Sequence, residues 1–139
     1  MIAGSFHNAS IAPALLMAAG VAGCAPPPEL VENPDLVPLY QGADVLDLGD
    51  DLLNVQVTVQ DARKAEDVTD YARCVMADYA KEHGYRYARH LRTNLDADRK
   101  RRWIGDAIYT VSREKPDGLE IIDTAAVVKD CKEKGIPLV

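Results

Sequence analysis

Leu53-Asn54-Val55-Gln56-Val57-Thr58-Val59-Gln60 sets four aliphatic residues in strict alternation with four polar ones. Side chains of an extended chain point alternately to opposite faces. Period-two patterning with β-branched residues therefore reads as a strand with one face buried. The polar loop Asp61 to Glu66 follows. The period then changes: Val68, Tyr71, Ala72, Val75 and Tyr79 recur at spacings of three and four. That is the apolar stripe of an amphipathic helix, predicted over 67–83. Asp67 is suited to cap its start and Gly84 its end.

Further along, Tyr85 to Thr93 reads as a second strand, with Tyr85, Tyr87 and Leu91 on one face. Asn94 to Arg101 is a polar turn and Arg102 to Arg113 a third strand. Lys115-Pro116-Asp117-Gly118 is a strong turn signal. Leu119 to Asp123 is a short fourth strand. Thr124 to Lys134 is a helix with Val127, Val128 and Cys131 on one side, stopped by Gly135 and Pro137. The order β-α-β-β-β-α predicts an α+β domain: a small, mostly antiparallel sheet with two helices on one face. The domain is expected over 43–139. Asp44, Asp47, Asp50 and Asp51 read as a solvated acidic loop, because their spacing does not match a calcium loop.

Upstream, the character of the chain changes. Residues 25–42 hold five prolines, which favour an extended, semi-rigid tether. Its second half, with Leu36, Val37, Leu39 and Tyr40, is alternatively a coil packed on the domain. The first 23 residues contain no acid and no Lys or Arg, although the chain has 22 acids and 16 bases. The apolar run Ile11 to Val21 is shorter than the roughly 20 residues a membrane span requires. It fits the core of a secretory signal. Pro13 and two glycines make a buried N-terminal helix the poorer alternative.

Val21-Ala22-Gly23-Cys24 resembles the lipobox of bacterial lipoproteins, with an aliphatic residue and two small ones before a cysteine. The resemblance covers about the first 25 residues. It implies cleavage before Cys24, a diacylglyceryl group on the Cys24 thiol, and usually an acyl chain on the new amino group. Lipoprotein signals usually carry Lys or Arg before the apolar run, whereas residues 1–10 here offer only His7. Several acyl chains on one residue hold a domain on a membrane far more firmly than one. In enterobacteria, Asp after the cysteine tends to retain lipoproteins in the inner membrane. Ala25 at that place points to the outer membrane, facing the periplasm. A looser resemblance covers 67–93, where His83-Gly84-Tyr85 ends the helix and Tyr87 follows. It is similar to small proteobacterial α+β lipoproteins of uncharacterised function and implies no activity.

If Cys24 is lipidated, Cys74 and Cys131 remain. In an oxidising envelope an even pair suggests a disulfide, the alternative being two buried thiols. No Cys-x-x-Cys supports redox catalysis. Only His83 and His90 follow Cys24, neither at ligand spacing from a cysteine, so no metal and no cofactor is expected. Ser112 lies in a strand, outside any nucleophile elbow. His83 reads as a last-turn residue near the helix C-terminal dipole. His90 reads as a strand residue sharing a face with Arg86, Ala88 and Arg92.

Residues 86–113 hold eight bases against three acids, a balance of +5 in a chain of net charge −6. Arg86, Arg89, Arg92, Arg99, Lys100, Arg101 and Arg102 are the candidate anion-binding residues. Anionic lipid headgroups, or an envelope protein, are their expected partners; export argues against nucleic acid. The alternative is a solvated hairpin neutralised by its own Asp96 and Asp98. The function expected is a non-catalytic binding or structural role in the envelope, the alternative being an enzyme or enzyme accessory acting on envelope polymers. A polar cleft gathering His90 with carboxylates would favour the enzyme, and a basic hairpin without one the binding module.

Overall fold

A computed structural model describes residues 32–138. The chain order is β1 (Leu39–Gly49), β2 (Leu52–Gln60), α1 (Ala65–Glu82), β3 (Tyr87–Ala97), β4 (Arg102–Ser112), β5 (Ile122–Asp123) and α2 (Thr124–Lys134). The five strands form one antiparallel sheet in the order β1-β2-β4-β3-β5. This is the expected α+β class and β-α-β-β-β-α order, with one more strand in front.

Strand β2 behaves as its alternation dictates. Leu53, Val55, Val57 and Val59 are all within 1% of full burial, against α1. Helix α1 buries Val68, Tyr71, Ala72, Val75 and Met76, and closes its C-terminus with a Schellman pair. The Tyr85 N–H donates to the Ala80 carbonyl at 2.8 Å and the Gly84 N–H to Lys81 at 3.1 Å, with Gly84 left-handed at φ 80°. The Tyr79 carbonyl accepts the His83 backbone N–H at 3.1 Å, and the His83 ring Nδ1 lies 2.7 Å from the same oxygen. Asp123 caps α2 by accepting from the Ala126 N–H.

The cap expected from Asp67 is placed differently. The helix starts two residues earlier, with Lys64 at the N-cap. Asp67 is buried in the first turn and reaches back, accepting from the Arg63 N–H at 2.7 Å and the Arg63 guanidinium at 2.8 Å. Burial alone would raise its pKa, but these hydrogen bonds outweigh it and hold the carboxyl below its ordinary value.

Strand β1 corrects the expected loop at Asp44 to Asp51. It starts at Leu39, ahead of the boundary expected at 43. Tyr40, Ala43 and Val45 pack against the core, and Tyr40 meets the Tyr71 ring at 4.8 Å. Asp44 lies on the sheet's outer face, paired to Gln56. Asp50 and Asp51 form a two-residue hairpin turn with φ of 53° and 59°, the type I′ geometry that suits the strand twist. The expected signal over 1–23 and the first part of the tether, 24–31, lie outside the described residues; further along, the Asn33 N–H donates to the Arg63 carbonyl at 2.9 Å and β1 takes over at Leu39.

Strand β3 corrects two more expectations. It runs to Ala97 rather than stopping at Thr93, and a bulge at Leu91 slips its register between His90 and Arg92. An extra residue reverses the alternation. His90 shares the helix-side face with Ala88 as expected, whereas Arg92, beyond the bulge, lies with Arg89 on the opposite, outer face. Leu91 is 51% exposed rather than packed. The short fourth strand is pared to Ile122–Asp123, because Glu120, at φ 56°, turns the preceding chain away.

Cys74 on α1 and Cys131 on α2 form a disulfide and are both buried. This bond ties α2, which has little purchase on the sheet itself, to the helix that covers the sheet.

Candidate functional site

The seven candidate bases do not form one patch. Arg86 precedes β3 and Arg99 follows it, 13 residues apart, or roughly 40 Å at about 3.3 Å per residue. Most are occupied within the domain. Arg101 pairs with Asp61 at 2.7 Å and Arg102 with Asp98 at 3.1 Å. Arg86 lies 4.0 Å from Asp123, and its guanidinium sits over the Tyr87 ring. Arg89 donates to the Asp117 carbonyl beside Gly118, while its Nε is buried without a partner among the described residues. Arg92, Arg99 and Lys100 make no ion pair among the described residues.

Position matters more than number. Leu39 pairs with Gln60, and Gln60 with Arg102. The start of β1 and the β3–β4 turn therefore stand at the same end of the sheet. The Gln60 amide donates to the Lys100 carbonyl at 2.6 Å, and Gln41, Arg99 and Lys100 help line a hollow of about 370 Å³ there. The Asp50–Asp51 turn stands at the other end, where the Val111 N–H donates to Asp51. Arg99 and Lys100 thus stand where the chain enters the domain, and Asp50 and Asp51 at the far end, which also holds Arg86 and Arg113.

A second feature was not legible in the sequence. An open cleft of about 560 Å³ lies on the helix side of the sheet, between α1, β3 and the segment before β5. Thr69, Asp70 and Arg73 come from α1, His90 and Thr93 from β3, Tyr109 from β4, and Glu120, Ile121 and Ile122 from the last segment. The bulge at Leu91 brings His90 and Thr93 to one face, joined by a 2.7 Å contact between His90 Nε2 and Thr93 Oγ1. The Tyr109 ring packs 5.1 Å from His90. Burial pushes the Tyr109 hydroxyl up to about 12, so it stays protonated and serves as a hydrogen-bonding group. Only the sheet register could have exposed this gathering, and the bulge hides it from alternation.

No group of His, Cys, Asp and Glu among the described residues is arranged to hold a metal ion. No described helix is long and apolar enough to cross a membrane. Cys24, the expected lipidation residue, lies outside the described residues.

The fold and its disulfide define a small antiparallel α+β domain with a helix-to-helix clamp. The chain belongs to the YNQ4 C-terminal domain family, whose model matches residues 40–135, from the second residue of β1 to the glycine that ends α2. It is similar to a protein of Paracoccus denitrificans described as "Uncharacterized 26.9 kDa protein in nqo8 5'region", 34% identical over 104 residues. The match covers 70% of this chain and 40% of that relative, so the chain spans well under half of the relative's length. The expected similarity to uncharacterised proteobacterial proteins is met at that level. No solved structure matches the chain.

Proposed function

We propose that the chain is a lipid-anchored, non-catalytic binding module of the bacterial cell envelope. Its anchor is Cys24, in the outer membrane facing the periplasm, and its basic end rests on anionic headgroups. The observation that carries this reading is the shared location of the chain's entry and the free bases Arg99 and Lys100. A tether that ends at Leu39 delivers that end of the sheet towards the membrane first. The Cys74–Cys131 bond adds support, since such bonds persist in oxidising compartments. Each base near an anionic surface contributes about 1 kcal/mol, and the attraction fades beyond about 8 Å at physiological salt. Arg99 and Lys100 together would therefore orient an already anchored domain rather than hold it.

The experiment reconstitutes the lipidated protein into anionic or neutral vesicles and follows acylation of lysines by a membrane-impermeant amine reagent. Lys129, exposed on α2, is the internal reference. Anionic vesicles should slow modification of Lys100 several-fold relative to Lys129, and high salt should abolish the difference. Equal Lys100 rates on both vesicle types at low salt would remove the headgroup contact from the proposal.

The cleft favours a second reading, an enzyme or accessory acting on envelope polymers, because it gathers His90 with Asp70 and Glu120. Against it, His90 bonds to a threonine rather than a carboxylate, and Tyr109 is held protonated. No oriented acid–base pair results.

A further inference from the structure

The cleft adjoins a stretch of sheet edge that lacks a neighbouring strand among the described residues. Strand β3 has 11 residues, and β5 pairs with only two of them, Tyr87 and Ala88. The remaining nine, Arg89 to Ala97, have β4 on one side and, among the described residues, no strand on the other. The Thr124 N–H donates to the Arg86 carbonyl at 3.0 Å, so the even residues of this part of β3 turn their backbone groups outward, away from β4. By alternation His90 is next. Beyond the Leu91 bulge the outward residues become Thr93 and Leu95. Side-chain and backbone directions repeat together, so His90 and Thr93 present backbone groups to the edge and side chains to the cleft.

We infer that this edge and cleft form a binding site for a short extended peptide, which pairs with β3 in line with β5 and carries a carboxylate to Arg73 and an ammonium to Asp70 and Glu120. Three observations converge on that occupant. The protein's own β5 already makes this antiparallel pairing, and Glu120 then leaves the line vacant. The cleft beneath, about 560 Å³, falls within the usual range for ligand sites. Its rim sets one guanidinium, free of ion pairs among the described residues, against two carboxylates. A simple anion or a simple polycation would be repelled by part of that rim, whereas a peptide with both charges matches it. The bulge interrupts the ladder and so limits the added strand to a few residues. Strand addition of this kind takes affinity from main-chain hydrogen bonds and selectivity from pockets for alternate side chains. The site is independent of the membrane contact proposed above.

The test uses the full chain with its disulfide formed, in detergent micelles, titrated with the pentapeptide Lys-Val-Ala-Val-Glu and followed by amide NMR. Backbone pairing is largely independent of sequence, so a generic probe suffices. The parallel probes are the same peptide N-methylated at alternate amides, free glutamate, inorganic phosphate and spermidine. The inference expects saturable shifts at His90, Thr93 and Arg73 with the plain peptide, and their loss with the methylated one. Arg73→Gln should weaken binding about tenfold, the loss of one charge-assisted contact. Arg73 is exposed on α1, and an unchanged melting temperature verifies the variant's fold. The inference fails if the peptide leaves His90 and Thr93 unmoved. It also fails if the methylated peptide, glutamate, phosphate or spermidine binds there as tightly as the plain peptide.

Discussion

Reducing the Cys74–Cys131 bond is expected to lower the melting temperature by roughly 15–30 °C. The bond closes a loop of 57 residues. On the chain-entropy account this restricts the unfolded chain and stabilises the fold by about 4 kcal/mol. For a domain of this size each 1 kcal/mol moves the midpoint by roughly 4–8 °C. The structure explains why the loss should not be absorbed elsewhere. Helix α2 packs on α1 through Val127, Val128 and Cys131, and β5, the strand that leads into it, is two residues long. Differential scanning calorimetry of oxidised and reduced protein measures the effect, and Cys74→Ala/Cys131→Ala should reproduce it. A midpoint within about 5 °C of the oxidised protein would show that α2 holds without its clamp.

Gly105→Val should also unfold the domain at markedly lower temperature, by roughly 10–20 °C. Gly105 lies on the helix side of β4, opposite Val57 and Leu95. A Cβ there would lie 2.9 Å from Val68 Cγ1 and 3.1 Å from Val57 Cγ2. Both neighbours are buried, stiff, β-branched residues, so neither yields readily. Overpacking of this kind costs roughly 1–3 kcal/mol, and valine, with two further methyl groups, should fall at the upper end. The glycine therefore leaves the room that Val68 of α1 occupies against the sheet. Adding Val68→Ala should recover part of the loss, because the two substitutions share one space. If the two losses simply add, the contact is not the cause.

Much of this architecture was legible because its two longest signals were clean. Leu53 to Gln60 alternates without interruption, and α1 keeps one stripe from Val68 to Tyr79. Helix α2 spans Thr124 to Lys134 as expected, stopped by Gly135. The failures share a cause. In β1 the ladder slips at Gln41 and Leu48, so period-two alternation survives only in the middle. There Asp44 and Leu46 share the outer face, and the acids suggested a loop. In β3 a single bulged residue, Leu91, moved Arg92 to the outer face and Thr93 to the cleft beside His90. Bulges are set by pairing between distant strands, which no local window contains. The same limit applies to the candidate site. The basic run at 99–102 was plain to see, but the partners that occupy Arg101 and Arg102 were not. Nor was the placement of Arg99 and Lys100 beside the start of β1.

The account rests most heavily on Cys24. The intact mass of the protein extracted from membranes of its own bacterium tests it directly, with fragmentation to place any modification. The account predicts a chain that begins at Cys24, carries acyl chains on that residue and retains the Cys74–Cys131 bond. A chain that retains Val21-Ala22-Gly23, or that carries a free Cys24 thiol, would contradict it.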